Sequence, residues 1–213
     1  MKKLFALLVP LLFIPSIGQA ADPATEFKEG VSYQLIVPQQ PTSDENKVEV
    51  VELFWYGCPH CFRFQPFMER WAKTRPDYVN YVRMPAILRD NWNLLAGAFY
   101  TAEALGIVDK IHRPLFDAIH KQRRHIDSEE DLMKFFGEFG VSNEDFKKTF
   151  HSFAVNSKVR RADLMTNRYH VHGTPSVVVN GKYIVDPGMA QNDFATMIKI
   201  IDFLIKKEHN NKG

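Results

Sequence analysis

The chain of 213 residues has only two cysteines, Cys58 and Cys61, and both lie in the short stretch WYGCPHC. No further cysteine is left to join distant parts of the chain, so the sequence excludes the disulfide framework of many small secreted proteins. As a cross-link the pair is weak, because a four-residue ring removes only about 2 kcal/mol of unfolded-state entropy, against about 4.7 kcal/mol for a hundred-residue loop. The spacing therefore favours redox chemistry over a purely structural disulfide.

Long apolar runs are missing after the first twenty residues, and no later segment is apolar enough to cross a membrane. Residues 1–20 contain two lysines, an apolar run from Leu4 to Ile17 and small residues before Ala21. This pattern predicts a secretory signal peptide that is cleaved before Ala21. A membrane anchor is the alternative, but two prolines interrupt the run, and it falls short of the roughly 20 apolar residues of a spanning helix.

The mature chain also lacks a net charge. Removal of residues 1–20 takes away two of the 27 Lys and Arg residues and none of the 25 Asp and Glu residues. Because nucleic-acid binding needs a basic surface, this composition gives no support for a nucleic-acid partner. Export of the chain predicts that its two cysteines meet an oxidising compartment.

The order of the predicted elements is typical of an α/β protein. Residues 48–56 are mostly apolar, β-branched or aromatic, which predicts a strand buried on both faces. Asn180-Gly181 is a strong signal for a hairpin turn. The other predicted elements are an edge strand (31–37), a helix (58–74), a strand (78–84), two hairpin strands (176–179 and 182–185), a helix (192–207) and a frayed tail (208–213).

Between residues 91 and 169 the pattern changes to helical spacing, with helix start signals at Ser128 and Ser142, each followed three residues later by an aspartate. We predict four or five helices here and essentially no strand. The fold class is therefore an α/β core, built from residues 21–85 and 171–213, with an inserted all-helical subdomain over residues 86–170.

The two cysteines occupy positions with different expected reactivity. Cys58 lies at the N-terminus of the predicted helix, where free N–H groups and the helix dipole favour a thiolate, and Pro59 is tolerated in the first turn. We therefore expect a lowered pKa for Cys58, which makes it the nucleophile and a good leaving group, with Cys61 one turn further in as the resolving thiol. His60, when protonated, adds a positive charge beside the thiolate.

A zinc site is the remaining alternative for the cysteine pair. It would need two more ligands, and among the eight histidines only His170 and His172 lie close together in sequence. Neither histidine has the spacing of a zinc ligand set with a second cysteine pair. The sequence therefore predicts no metal site.

The chain resembles the DsbA family of bacterial periplasmic thiol:disulfide oxidoreductases. The resemblance is carried by Cys58-Pro59-His60-Cys61 after a buried strand, by the helical insertion, and by Gly173-Thr174-Pro175 before a strand and hairpin. It implies a thioredoxin-like fold, a periplasmic location, and no cofactor other than a redox-active disulfide. The implied partners are reduced, unfolded exported proteins and a membrane reoxidant of the quinone-linked DsbB type.

The resemblance also implies roles for a second segment. In this family the proline at the position of Pro175 is cis and lies against the active-site disulfide. Thr174, with His172 and Gly173 before it, is then expected to bind substrate, because its backbone N–H and C=O groups are presented to an extended segment. Many family members have Val where this chain has Thr174, a difference that bears on the redox potential and on substrate release.

Glu52 is an unexpected carboxyl group in the apolar strand, and a buried carboxylate is costly unless it is paired or neutral. Arg83, on the next predicted strand, is a candidate partner. Family members carry an acidic residue six positions before the first cysteine and a basic one on the neighbouring strand. Two interpretations stay open: a proton path or charge tuning beneath Cys61, and a half-buried salt bridge without a redox role.

The function implied by these features is oxidation of exported proteins, in which the chain donates a Cys58–Cys61 disulfide by thiol-disulfide exchange. A disulfide isomerase or reductase of the same fold is one alternative, and a peptide-binding chaperone is another. We also interpret Trp55, Phe62 and Phe64 as possible walls of an apolar groove beside the cysteines, or else as core residues.

Overall fold

The computed structural model describes residues 27–211, so the predicted signal peptide (1–20) lies outside the described residues. Within them, five strands form one mixed sheet and seven α-helices surround it. The strands are β1 (Gln34–Leu35), β2 (Val48–Phe54), β3 (Val79–Pro85), β4 (Ser176–Val179) and β5 (Tyr183–Val185). The helices are α1 (Pro59–Thr74), α2 (Asn93–Ala104), α3 (Val108–His120), α4 (Glu129–Gly137), α5 (Asn143–Phe150), α6 (Phe153–Arg168) and α7 (Phe194–Asn210), with a short 3₁₀ helix at Asp90–Trp92.

Strand β2 lies near the middle of the sheet, whose order is β1-β5-β4-β2-β3. It pairs in parallel with β3 and antiparallel with β4, and all seven of its residues are buried. This is the strand that the apolar run predicts, since covering on both faces requires apolar side chains on both. Because β2 runs directly into α1, its end fixes the position of the cysteine pair.

Helices α2 to α6 follow one another without an intervening strand, as the helical spacing predicts. Two of the predicted start signals are confirmed: Ser128 Oγ accepts the N–H of Asp131 at 3.2 Å, and Ser142 Oγ accepts the N–H of Asp145 at 3.0 Å. Such N-caps satisfy backbone donors that the first helical turn leaves free. The boundaries of an inserted subdomain at residues 86 and 170 stay a prediction.

Buried apolar side chains form two clusters. One contains both cysteines together with Phe54 and side chains of the helices between β3 and β4, such as Phe116. The other lies against α7 and contains Phe64 of α1. The cysteine pair therefore belongs to the cluster that helices α2 to α6, the helical block, help to build.

Two predicted boundaries are wrong at the ends of the core. The edge strand predicted over residues 31–37 is only two residues long, because the chain turns at Val31 and Ser32, whose N–H groups both bond to the carbonyl of Lys28. The tail is not frayed from residue 208 onward, since α7 continues to Asn210. Its Glu208 carboxylate is held by Asn180, Lys182 and Tyr183, which explains why the helix extends further than predicted.

None of the helices within residues 27–211 combines the length and the apolar character that a membrane crossing requires.

The hairpin turn gives a test of the fold. Gly181 has φ +62, and a Cβ built on it would lie 2.0 Å from the backbone oxygen of Gln40, whereas Gly30 has φ +75 and open space around it. We expect Gly181→Ala to lower the free energy of unfolding by about 3 kcal/mol, because clash adds to backbone strain. The matched Gly30→Ala should cost only the strain, about 1 kcal/mol. Urea unfolding measures both, and equal losses would contradict the assigned packing of the hairpin on Gln40.

Candidate active site

Cys58 is the N-cap of α1, with φ −85 and ψ 117, and Pro59 is the first residue of the helix. The sulfur of Cys58 accepts the backbone N–H of Cys61 at 3.4 Å. A side chain at this position accepts a bond that the first turn cannot satisfy from within the helix. Both cysteines are free thiols in this structure, so the site is described in its reduced form.

The two thiols differ strongly in acidity. Hydrogen bonding from the Cys61 side chain, and then from Thr174 and the backbone N–H groups of Cys61 and His60, lowers the pKa of Cys58 to about 5 against the opposing effect of partial burial. Burial, followed by the neighbouring Cys58, raises the pKa of the Cys61 thiol well above its ordinary value. Cys61 is fully buried, whereas Cys58 keeps 7% exposure. The predicted division into a reactive and a resolving thiol matches this asymmetry.

His60 lies at the surface of the site. Its Nδ1 is 3.1 Å from Nη2 of Arg63, and since a guanidinium only donates, this ring nitrogen accepts. The backbone N–H of His60 supports the Cys58 thiolate.

The segment before β4 lies against Cys58. The Thr174–Pro175 peptide bond is cis, as expected, and the Cys58 sulfur lies 3.2 Å from the carbonyl oxygen of Thr174. Gly173 and His172 are exposed, Thr174 is half-buried and Pro175 is buried. Ser176 Oγ donates to the carbonyl of Gly173 at 2.8 Å, which braces this turn. The structure thus places Thr174 beside the reactive sulfur, and the exposed His172 and Gly173 precede it directly in the chain.

Glu52 is fully buried on β2, and three groups surround its carboxyl. Gln65 Nε2 donates to Oε1 at 2.8 Å, the Tyr81 hydroxyl donates to Oε2, and Arg83 Nε lies 4.0 Å from Oε2. Glu52 and Arg83 are direct neighbours in the β2–β3 register, as the sequence predicts. Burial raises the pKa of Glu52, and the bond from Tyr81, the charge of Arg83 and the bond from Gln65 oppose this rise.

Sequence reasoning missed Gln65, Tyr81 and the buried His112 of α3, whose Nε2 lies 3.0 Å from Gln65 Oε1. Two of them had a signal: Gln65 follows Cys61 by one helical turn, and Tyr81 precedes Arg83 by two positions, on the same face of its strand. His112 had none, because it reaches the site from a helix 47 residues away from Gln65.

The aromatic residues near the cysteines have separate surroundings. Trp55 stacks on Trp92 at a centroid distance of 4.2 Å, and Phe62 stacks on the His120 ring at 5.0 Å. Both Trp55 and Phe62 are half-buried and lie beside the site. The prediction for Phe64 as a groove wall is wrong, since it is fully buried in the other cluster, against Phe194.

Among the described residues, 27–211, no three His, Cys, Asp or Glu side chains are grouped so that they could hold a metal ion. His170 and His172 are both exposed.

Comparison with known proteins gives a consistent family match. The model of the DSBA-like thioredoxin domain matches residues 79–199. The thiol:disulfide interchange protein DsbA of Pseudomonas aeruginosa PAO1 is 37% identical over 202 residues, which cover 95% of each chain. The protein of the same name from Burkholderia cepacia is 34% identical over 214 residues and covers both chains fully.

Solved structures agree with this match. The crystal structure of Pseudomonas aeruginosa DsbA superposes with a TM-score of 0.84 at 37% identity, covering 89% of this chain and 98% of that one. The structure of the oxidoreductase DsbA from Xylella fastidiosa superposes with a TM-score of 0.78 at 31% identity, covering 84% of this chain and 95% of that one.

Titration of the reduced protein tests the acidity of Cys58. We expect the thiolate absorbance at 240 nm to rise with a midpoint near pH 5, and to lose this step in Cys58→Ser. Because the folded pKa lies below the value of about 8.5 for an unfolded cysteine, the thiolate stabilises the reduced fold fully above that pH. This stabilisation is lost as the pH falls through 5, and a midpoint above pH 7 would contradict the assigned hydrogen bonding.

Glu52→Gln tests the buried carboxyl. A raised pKa means that the ionised form is disfavoured in the fold, so Glu52 costs stability as the pH rises from its unfolded pKa of about 4.3 through the folded value. The amide removes the titrating charge, but it keeps only one of the two acceptor oxygens and leaves the partly buried Arg83 without its partner, so we expect a loss of stability at every pH. Only the wild-type protein should lose further stability between pH 4 and pH 8 because of this group, and an equal pH dependence of the two proteins in urea unfolding would contradict a raised pKa for Glu52.

Proposed function

The chain belongs to the DsbA family of thiol:disulfide oxidoreductases, and from this premise we propose that it oxidises newly exported proteins by donating a Cys58–Cys61 disulfide. The observation that carries the proposal is the asymmetry of the two thiols. A sulfur with low thiol pKa is a good leaving group, and stabilising the reduced thiolate makes the disulfide a stronger oxidant.

The exchange has two steps in this proposal. A substrate thiolate attacks the Cys58 sulfur, a bond forms between the two, and the Cys58–Cys61 bond breaks, with Cys61 leaving and taking up a proton. A second thiolate of the same substrate then attacks the first substrate sulfur, and Cys58 leaves as a thiolate. The substrate loses two electrons and gains a disulfide, and the enzyme becomes the dithiol.

Substrate binding is proposed to use the backbone of Thr174. Its carbonyl oxygen lies 3.2 Å from the Cys58 sulfur, so a chain that paired with this residue would carry its own sulfur close to Cys58. Main-chain pairing does not depend on side chains, which suits an enzyme that acts on many unfolded sequences. The exposed Gly173 and His172 extend the same surface.

Location and reoxidation complete the proposal. The N-terminal pattern of residues 1–20 and the family support export to the periplasm, where reduced, unfolded proteins arrive. The Cys58–Cys61 disulfide is then the only redox group required, and a membrane quinone-linked protein of the DsbB type would restore it. Residues 86–170 act as an inserted helical subdomain on a thioredoxin-like core in this account.

Equilibration with glutathione and trapping of substrates test the function together. We expect a reduction potential clearly above thioredoxin's roughly −270 mV. Cys61→Ala, which removes the resolving thiol, should accumulate mixed disulfides with exported proteins, and Cys58→Ser should form none. A potential near that of thioredoxin would favour a reductase or isomerase. Substrate oxidation by Cys58→Ser at the wild-type rate would indicate a chaperone whose cysteines are incidental.

A further inference from the structure

Tyr56, two residues before Cys58, forms hydrogen bonds with helix α3 through both its hydroxyl and its backbone oxygen. Its hydroxyl lies 2.9 Å from Nδ1 of His112, and its backbone oxygen accepts a hydrogen bond from Nε2 of His120 at 2.7 Å. Tyr56 itself is 1% exposed. Two histidines of one helix, eight residues apart, therefore hold the last residue before the Gly57-Cys58 turn.

These bonds hold the turn of residues 55–58, the redox turn, which carries the reactive sulfur of Cys58. The N–H of Cys58 donates to the carbonyl of Trp55 at 3.0 Å, which closes the turn around Tyr56. On the far side of the cysteine pair, the ring of His120 stacks on Phe62, the residue after Cys61. Helix α3 thus contacts the chain both immediately before and immediately after the two cysteines.

The hydrogen bonds that run from Tyr56 into the core have a fixed direction. Gln65 donates its amide to Glu52, so its remaining oxygen must accept, and His112 must donate from Nε2. Burial lowers the pKa of His112 well below its ordinary value, so the ring is neutral and its Nδ1 accepts from the Tyr56 hydroxyl. Every donor points towards Glu52, which leaves Tyr56 a single favourable hydroxyl orientation.

We propose that His112 and His120 are positioning residues, which hold Tyr56, and through it the turn bearing Cys58, in the geometry that disulfide exchange requires. The inference rests on the proposed function, in that it concerns the reactivity of Cys58. It adds a role for the helical block. Helix α3 not only buries the redox turn but also orients it by direct hydrogen bonds.

The geometry at Cys58 explains why such positioning matters. Its sulfur must stay within reach of the N–H of Cys61, at 3.4 Å, because this donor favours the thiolate. A hydrogen bond of this length weakens when the donor moves by a few tenths of an ångström. Release of Tyr56 would therefore weaken the hydrogen bond that favours the thiolate, and would slow exchange.

Tyr56→Phe and a matched pair at His120 test this inference. Tyr56→Phe removes only the hydroxyl, His120→Leu removes the donor to the Tyr56 backbone, and His120→Gln retains an amide donor in its place. We expect about a threefold fall in the ionisation constant of the Cys58 thiol, read at 240 nm, for Tyr56→Phe and His120→Leu. The kcat for oxidation of a dithiol peptide should fall by a similar factor with KM unchanged, and His120→Gln should recover most of both.

His151→Leu is the control for the loss of a histidine bond in the helical block. His151 is exposed and pairs with Glu129 at 3.0 Å, far along the chain from the redox turn, so its removal should leave the thiol ionisation and kcat unchanged. If Tyr56→Phe and His120→Leu lowered only the free energy of unfolding, and left the ionisation and kcat at wild-type values, the positioning role would be wrong.

The two proposals fail in different ways in this experiment. Cys58→Ser run alongside reports on the proposed function, because that proposal predicts complete loss of peptide oxidation. Wild-type activity in Cys58→Ser overturns the function, whereas inactivity in Cys58→Ser with unaltered Tyr56→Phe and His120→Leu overturns only the positioning. His120 is half-buried, so its two variants keep the test valid even if Tyr56→Phe does not fold.

Discussion

The redox site depends on one constraint: the sulfur of Cys58 closes the first turn of α1 in place of a capping oxygen. A helix start leaves backbone N–H groups without partners, and here a thiolate can accept them. Cys61, held on the same helix one turn inward, is sealed from solvent by the cluster that the helical block completes. The difference in acidity between the two thiols thus arises from the hydrogen bonds that Cys58 receives and from the burial of Cys61.

Burial of the Glu52 carboxyl beneath this site disfavours its ionised form and raises its pKa. Hydrogen bonds from Tyr81 and Gln65 and the charge of Arg83, which come from the neighbouring strand and from α1, oppose the effect of burial without removing it. The ion pair with Arg83 is present, and the choice between a proton path and a plain salt bridge stays a prediction. Glu52 is the end of a directed set of hydrogen bonds that starts at Tyr56, next to the redox turn.

The sequence was sufficient where a local pattern determines the structure. The buried strand, the capped helix starts and the Asn180-Gly181 hairpin follow from an apolar run, capping residues and turn chemistry. The family resemblance, together with the neighbouring strand, indicated Glu52 and Arg83 as a pair. It failed where tertiary contacts decide, as for Glu208, which turns a predicted frayed end into an anchored helix. His112 shows the same limit, since nothing in its neighbourhood in the chain indicates that it meets Gln65 and Tyr56.

The shortness of β1 bears on how the protein coexists with unfolded chains. A long open strand at the border of a sheet is a template to which extended polypeptides add, and it invites aggregation. Here the β1 border offers only two residues, Gln34 and Leu35, before the chain turns into a proline-containing loop. An unfolded chain that meets the β1 border therefore finds too few unpaired backbone groups there to add itself as a further strand.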